Sequence, residues 1–268
     1  DMTSSRGLGD VYKRQGTSLT ASNNSGTTVN ISGYEIGAIS TISTNGNNTN
    51  WRVTRLKSST DNSFSNLPSA DFIQYGYSSG DSASGSGDGI MTGYDPGLLT
   101  KTYSDISGTS KKVTKVYDGT TSTSSATFGN ATVTSANGLS SNLNVTLSDQ
   151  TYTYSEKDAG NNKVVTADSA YSISSASHSR HGDVYGLAVS SIAKQINNAQ
   201  VTAKPVSISG TRQYDGTKSV DSPDLTVGNF VGSETVTLSG SGSLSSADVQ
   251  SNSSLSSTSG LSLVDGSG

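Results

Sequence analysis

His178 and His181, with Arg180 between them and Asp183 just beyond, are the only imidazoles in the chain and the first candidates for metal or acid–base chemistry. A zinc site needs three or four ligands steadied by hydrogen-bonded partners, and a triad needs a histidine fixed against a nucleophile. Two histidines in a serine-rich stretch supply neither, so a solvated loop is expected there. Asp81, Asp88 and Asp95 flank glycines between Gly80 and Gly97, the composition of a calcium loop. Calcium takes roughly six to eight oxygens, more than one such turn offers, and a flexible loop is the better reading. No pair among the other carboxylates is singled out for glycoside hydrolysis. The prediction is therefore no catalytic, cofactor-binding or metal-binding residue, no cofactor, and no enzyme. Trp51, Tyr75 and Tyr77 remain as possible ligand contacts, suited to stack on a sugar or a protein surface. The competing reading is that a module short of large side chains buries them.

The elements that position these residues read as short strands. Thr28–Ser32, Trp51–Leu56 and Phe72–Tyr77 are β-branched or aromatic runs bounded by Gly, Asn or Ser, as expected of short antiparallel strands. Further along, Leu98–Tyr103, Ala131–Thr134, Asn144–Leu147, Tyr152–Tyr154, Lys163–Thr166 and Ala170–Ile173 alternate with period two, and Tyr152 and Tyr154 share a face. Ala188–Val201 has near-helical apolar spacing, but Asn197-Asn198 in its middle favours a hairpin ending at Lys204-Pro205.

One hexapeptide occurs twice. Lys115-Val116-Tyr117-Asp118-Gly119-Thr120 returns as Arg212-Gln213-Tyr214-Asp215-Gly216-Thr217, the tyrosines 97 positions apart. A strand-forming pair followed by Asp-Gly predicts a strand end and a tight turn. The Asp side chain accepts from the backbone N–H two residues on, and Gly supplies a positive φ. Both tyrosine rings are expected on the core side, in equivalent places. Domain-sized spacing of a repeated motif points to tandem modules.

The hexapeptide, the lead-in Ala203-Lys204-Pro205-Val206-Ser207-Ile208-Ser209-Gly210, and the stretch Asp158-Ala159-Gly160-Asn161-Asn162-Lys163-Val164-Val165 together resemble the YDG repeat. That module is found in large secreted, filamentous haemagglutinin-like adhesins of Gram-negative bacteria. Val145-Thr146-Leu147-Ser148 and Val236-Thr237-Leu238-Ser239 also match, 91 positions apart. In the second copy only Ala247-Asp248-Val249 stands where the Lys-Val-Val stretch belongs. The resemblance runs from Lys111 to the C-terminus. It implies an all-β fold of tandem small β-sandwich (Ig-like) modules, elongated, with the last one truncated. The structural motif is then Tyr117, Asp118, Gly119 and Thr120 with Tyr214, Asp215, Gly216 and Thr217. It also implies a non-catalytic stalk or spacer region of a secreted or surface-displayed bacterial adhesin, extracellular or on the cell surface. Its partners are neighbouring repeats of the same chain and a host glycan or protein. The alternative is a carbohydrate- or host-protein-binding β-sandwich module in residues 16–110.

Composition sets the remaining bounds. Ser5–Gln15 resembles a translated sequencing adaptor, so residues 1–15 are set aside as a disordered artefact upstream of a metagenomic fragment. A net charge of −4 without a Lys/Arg cluster argues against a nucleic-acid surface. No apolar run reaches the roughly 20 residues of a membrane helix, so no direct membrane insertion is expected. Leu, Ile, Val and Phe make up about 19% of the chain, near the compositional edge of disorder. Only 14% of residues are charged, however, and twelve are tyrosines, which favours thin folded modules covered by Ser, Thr and Asn. The absence of cysteine fits a bacterial surface protein better than a eukaryotic secreted one. The predicted domains are 16–110, a β-rich module; 111–204, a first repeat; and 205–268, a truncated second.

Overall fold

The computed structural model describes residues 17–22, 28–33, 39–45, 50–55, 64, 67–78 and 80–266; the proposed artefact at 1–15 lies outside them. The fold is all-β. The first strands are β1 (Thr17–Ser22), β2 (Thr28–Gly33), β3 (Ile39–Asn45), β4 (Asn50–Arg55), β5 (Phe72–Gln74), β6 (Gly89–Thr92) and β7 (Leu99–Tyr103). Then come β8 (Val113–Val116), β9 (Thr127–Phe128), β10 (Ala131–Ser135), β11 (Leu143–Leu147), β12 (Tyr152–Tyr154), β13 (Gly160–Ala167), β14 (Ile173–His178), β15 (Gly182–Tyr185) and β16 (Gln195–Thr202). The last are β17 (Ser207–Gly210), β18 (Ser219–Asp221), β19 (Leu225–Gly228), β20 (Val236–Ser243) and β21 (Leu261–Asp265). Contacts divide the chain into two compact units: 1–112 with 128–153 and 165–196, and 113–127 with 154–164 and 197–268.

In the first unit the front strands are parallel. β1 pairs with β3 and β2 with β4, and Thr28 to Gly33 stand against Asn50 to Arg55, 22 residues on at every position. Strands that begin at Thr17, Thr28, Ile39 and Asn50, and pair with the next but one, make the chain coil with two strands per turn. This corrects the antiparallel pairing expected within residues 16–110. Short β-branched runs bounded by turn residues look alike in either kind of sheet, and the signal lay in the regular 11-residue step between strand starts.

β2 and β4 continue into a seven-stranded sheet, ordered β11-β14-β15-β5-β6-β4-β2. β4, β6, β5 and β15 are parallel neighbours, whereas β14 and β11 are antiparallel. Trp51, Val53, Phe64, Leu67, Ile73, Tyr75, Ile90 and Tyr94 form the core beneath it, with Leu143, Ala176 and Leu187 packed against them. The glycine-rich loop before β6 is fastened to this sheet. Gln74 accepts from the Ser84 N–H and donates to the Ser82 carbonyl. A Cβ on Gly85 or Gly89 would fall 2.3 or 2.1 Å from the Phe72 ring, so only glycine lets the loop lie over it. A second small core of Leu99, Leu147 and Tyr171 carries a chain of hydroxyls from Tyr103 through Tyr152 to Tyr171, at 3.0 and 2.6 Å.

In the second unit β8 lies parallel to the end of β16, Val113 against Ala199 and Val116 against Thr202. The residues 188–201 are neither a helix nor a hairpin. Gln195–Thr202 is one strand that runs through both asparagines, and Asn198 absorbs the bend at φ 66°. Asparagine tolerates that left-handed conformation, so the residues read as a turn serve as a kink. β17 pairs with β19, and β20 joins β18 to β21, all antiparallel. The buried side chains are few and mostly small: Val113, Ala199, Val201 and Val220 besides Tyr154.

Candidate functional site: the Tyr-Asp-Gly turns

β8 ends at Val116, and the first Tyr-Asp-Gly turn follows at once. Asp118 Oδ1 accepts from the Thr120 N–H at 3.0 Å and from the Thr120 hydroxyl at 2.9 Å; Gly119 has φ +75°. The second turn repeats this closely. Asp215 Oδ1 accepts from the Thr217 N–H at 2.8 Å and the Thr217 hydroxyl at 2.9 Å, and Gly216 has φ +76°. The turn chemistry expected of the hexapeptide is present in both copies.

The basic residue three positions before each Asp completes a clamp that sequence reasoning missed. Lys115 lies in β8 with its side chain fully buried. Its ammonium donates to Asp118 Oδ1 at 2.8 Å and to the carbonyls of Thr120 at 2.6 Å and Ser122 at 3.0 Å, and stands 5.2 Å from the Tyr154 ring centroid. Arg212 does the same work by another route, pairing with Asp215 and donating to the Thr217 carbonyl. Burial disfavours the Asp118 charge, but hydrogen bonds from Lys115, Thr120 and Ser125 outweigh it and hold its carboxyl well below the usual range. The Thr217 amide, then the Arg212 guanidinium and the Thr217 hydroxyl, hold Asp215 down at about 2. The signal was present as Lys/Arg-x-x-Asp in both hexapeptides.

The rings differ, which corrects the expectation that both tyrosines face a core. Tyr117 is half-buried and its hydroxyl donates to Glu234, which pushes the phenol up to about 12. Tyr214 is 66% exposed. An open cleft of about 570 Å³ lies beside the first turn, lined by Val116, Tyr117, Asp118, Lys204, Phe230 and Val231 among others. Lys204 donates to the Phe230 carbonyl at 3.2 Å, tying the lead-in of the second copy to the far wall.

Other candidates are placed as follows. Trp51 and Tyr75 are in the core of the first unit at 4% and 2% exposure. Tyr77 is half-buried, its hydroxyl donating to the Asp81 carbonyl. Burial, then the neighbouring Tyr94, raises the Tyr75 phenol. Asp81 and Asp95 close separate turns, accepting from the Ser78 and Gly97 N–H groups, while Asp88 accepts from the Trp51 N–H of β4. No group of three or more His, Cys, Asp or Glu able to hold a metal is found among the described residues.

His178 and His181 are not in a solvated loop. They are 4% and 0% exposed, their ring centroids 4.7 Å apart. Their Nδ1 atoms accept from the N–H groups of Arg180 and Ala70, at 3.1 and 3.3 Å. Each proton is therefore on Nε2. A neutral imidazole arranged this way has no lone pair to offer a metal. Burial, then His178, lowers His181 to about 4 against an upward pull from the Phe64 backbone. Burial, then Arg180, lowers His178. The tetrapeptide crosses from β14 to β15, and that crossing carries both rings inward.

Taken together, the turns can fasten a chain and present a phenol. A family model described as the YDG domain matches residues 100–179 and 196–268. No curated protein and no solved structure matches the chain.

Proposed function

The chain belongs to the YDG domain family, and from that premise we propose that it is a structural spacer region of a secreted or surface-displayed bacterial adhesin of the filamentous haemagglutinin-like kind. It works outside the cell, without catalysis, by holding a distal binding domain away from the envelope. The observation that carries this reading is the doubled turn. Each copy is locked by its own basic residue, Asp and Thr, and the first copy passes its tyrosine hydroxyl to Glu234 beyond the second. A segment built to bear load needs such fastenings where one module follows another, and parallel strands paired along their length resist extension. The alternative, ligand binding by residues 16–110 through Trp51, Tyr75 and Tyr77, gains no support from rings of which two lie in the core.

The test is mechanical. Held by its two ends in single-molecule force spectroscopy, the chain is expected to unfold in discrete force peaks and to refold on relaxation. Featureless extension would overturn the spacer reading, and so would hydrolysis of a glycan by the purified chain.

A further inference from the structure

A tyrosine in an Asp turn donates its hydroxyl to the loop ahead of a Val-Thr-Leu strand twice in this chain. The first case is Tyr117, whose hydroxyl meets Glu234, two residues before Val236. The second is a turn that carries no Tyr-Asp-Gly motif. In Tyr94-Asp95-Pro96-Gly97, Asp95 Oδ1 accepts from the Gly97 N–H at 2.8 Å, and Gly97 has φ +77°. The Asp bond reaches two residues on, as in the two Tyr-Asp-Gly turns, but the positive φ falls on the second residue after the Asp, because Pro96 stands where those turns have glycine. The Tyr94 hydroxyl donates to the carbonyl of Asn137 at 2.7 Å and lies 3.2 Å from that of Gly138, in the loop that leads to Val145-Thr146-Leu147. The Asn137 N–H and side-chain amide return two bonds, to the carbonyls of Pro96 and Asp95. In the same loop Leu143, at the position of Glu234 when the Val-Thr-Leu strands are aligned, packs against the core that holds Tyr94.

Each time, the loop before Val-Thr-Leu faces a tyrosine turn that precedes it in the chain. Among the described residues, no such loop faces the third turn. The Tyr214 ring is 66% exposed, and its hydroxyl has no partner among the described residues, although its Asp, Gly and Thr are set as in the first copy. We propose that the Tyr214 turn is a docking surface for a following module of the same family, which would offer it a carboxylate or carbonyl oxygen from the loop ahead of its Val-Thr-Leu strand. This rests on the spacer reading and makes it directional: each module's turn receives the loop of the next.

Two measurements on whole chains test it. In the chain as it stands, tyrosine nitration mapped by peptide mass should modify Tyr214 at least several-fold faster than Tyr117. Glu234→Ala should bring Tyr117 up to the Tyr214 rate without changing Tyr214. Equal rates in the parent chain would overturn the proposal, because the contact it extends would then protect nothing. Second, residues 172–268 are appended after Gly268. The new copy of Glu234 then lies 117 positions after Tyr214, the separation of Tyr117 from Glu234. Tyr214 should become protected to the level of Tyr117, and Glu→Ala in the appended copy should abolish the protection. An appended copy whose strands resist hydrogen exchange while Tyr214 stays reactive overturns the proposal. So does protection of Tyr214 in the parent chain that grows with protein concentration, which would make the occupant a second copy of this chain. Either failure leaves the force peaks of the spacer reading untouched, whereas their absence would remove that reading whatever Tyr214 does.

Discussion

Removing Asp118 separates the two turns energetically. The Lys115 side chain is fully buried and Asp118 is one-third exposed, so Asp118→Ala strands an ammonium that water cannot readily reach. What remains to it is the Thr120 carbonyl at 2.6 Å, the Ser122 carbonyl at 3.0 Å and the face of Tyr154. Breaking a buried pair by removing one partner costs about 3–5 kcal/mol. The partial exposure of Asp118 places this pair near the lower end, and losing the bond to the Thr120 N–H adds about 1 kcal/mol. A loss of about 3–4 kcal/mol is expected. Asp215→Ala removes the same turn bond, but Arg212 keeps some solvent access where Lys115 has none and Asp215 is about half exposed, so its loss should be smaller. The assay is amide hydrogen exchange at Thr120 and Thr217, with thermal unfolding by circular dichroism alongside. At about 1.4 kcal/mol per decade, Thr120 should exchange at least a hundred-fold faster in Asp118→Ala. The double variant Lys115→Met with Asp118→Ala should be more stable than Asp118→Ala, because it removes the stranded charge. Equal losses at the two turns, or a double variant no better than the single, would show that burial of Lys115 does not govern the clamp.

Three further outcomes are expected. His181 ionises at about 4 when folded and near 6.5 when unfolded; between those values the unfolded chain binds a proton that the native chain refuses. Stability should be full above pH 6.5 and fall by about 3 kcal/mol as pH drops to 4. Trp51 shares a core with Phe64, which borders His181, so urea titrations followed by its fluorescence read this slope, and His181→Leu should flatten it. Asp118 and Asp215, whose folded carboxyls titrate below the ordinary carboxylate range, add a separate loss only as pH falls below about 4, visible in exchange at Thr120 and Thr217. Gly89→Ala would push a methyl group to 2.1 Å from the Phe72 ring and should cost about 1–3 kcal/mol in the same urea titration.

What the sequence made legible was local chemistry. Asp-Gly after a strand-forming pair dictates its own turn, because the bonds that close it lie within two residues. The strand segments followed from β-branched and aromatic runs, and Tyr152 and Tyr154 are both buried on one face, as their alternation requires. Partners from far along the chain were not legible. Parallel pairing of β2 with β4 depends on the path between them, and runs of Thr, Val, Asn and Ile look the same in either direction. His178 and His181 sit in serine-rich text, yet β14 and β15 turn both inward, His181 against Ala70 and Phe64, more than 100 residues away.

The two Tyr-Asp-Gly copies show the same limit within one motif. Their Asp, Gly and Thr atoms superimpose in role because each turn is self-contained. Their tyrosines do not, because a ring's surroundings are supplied by another part of the chain: Glu234 for Tyr117, and solvent for Tyr214. A repeat can therefore keep its turn through the Asp clamp while its tyrosine takes different surroundings. That separation would serve the proposed spacer role, since stability within a module and connection between modules would then rest on different residues. It also explains how Tyr94, in a turn with proline where the others have glycine, can make the same kind of contact: closing the turn needs the Asp, and reaching the next loop needs only the phenol.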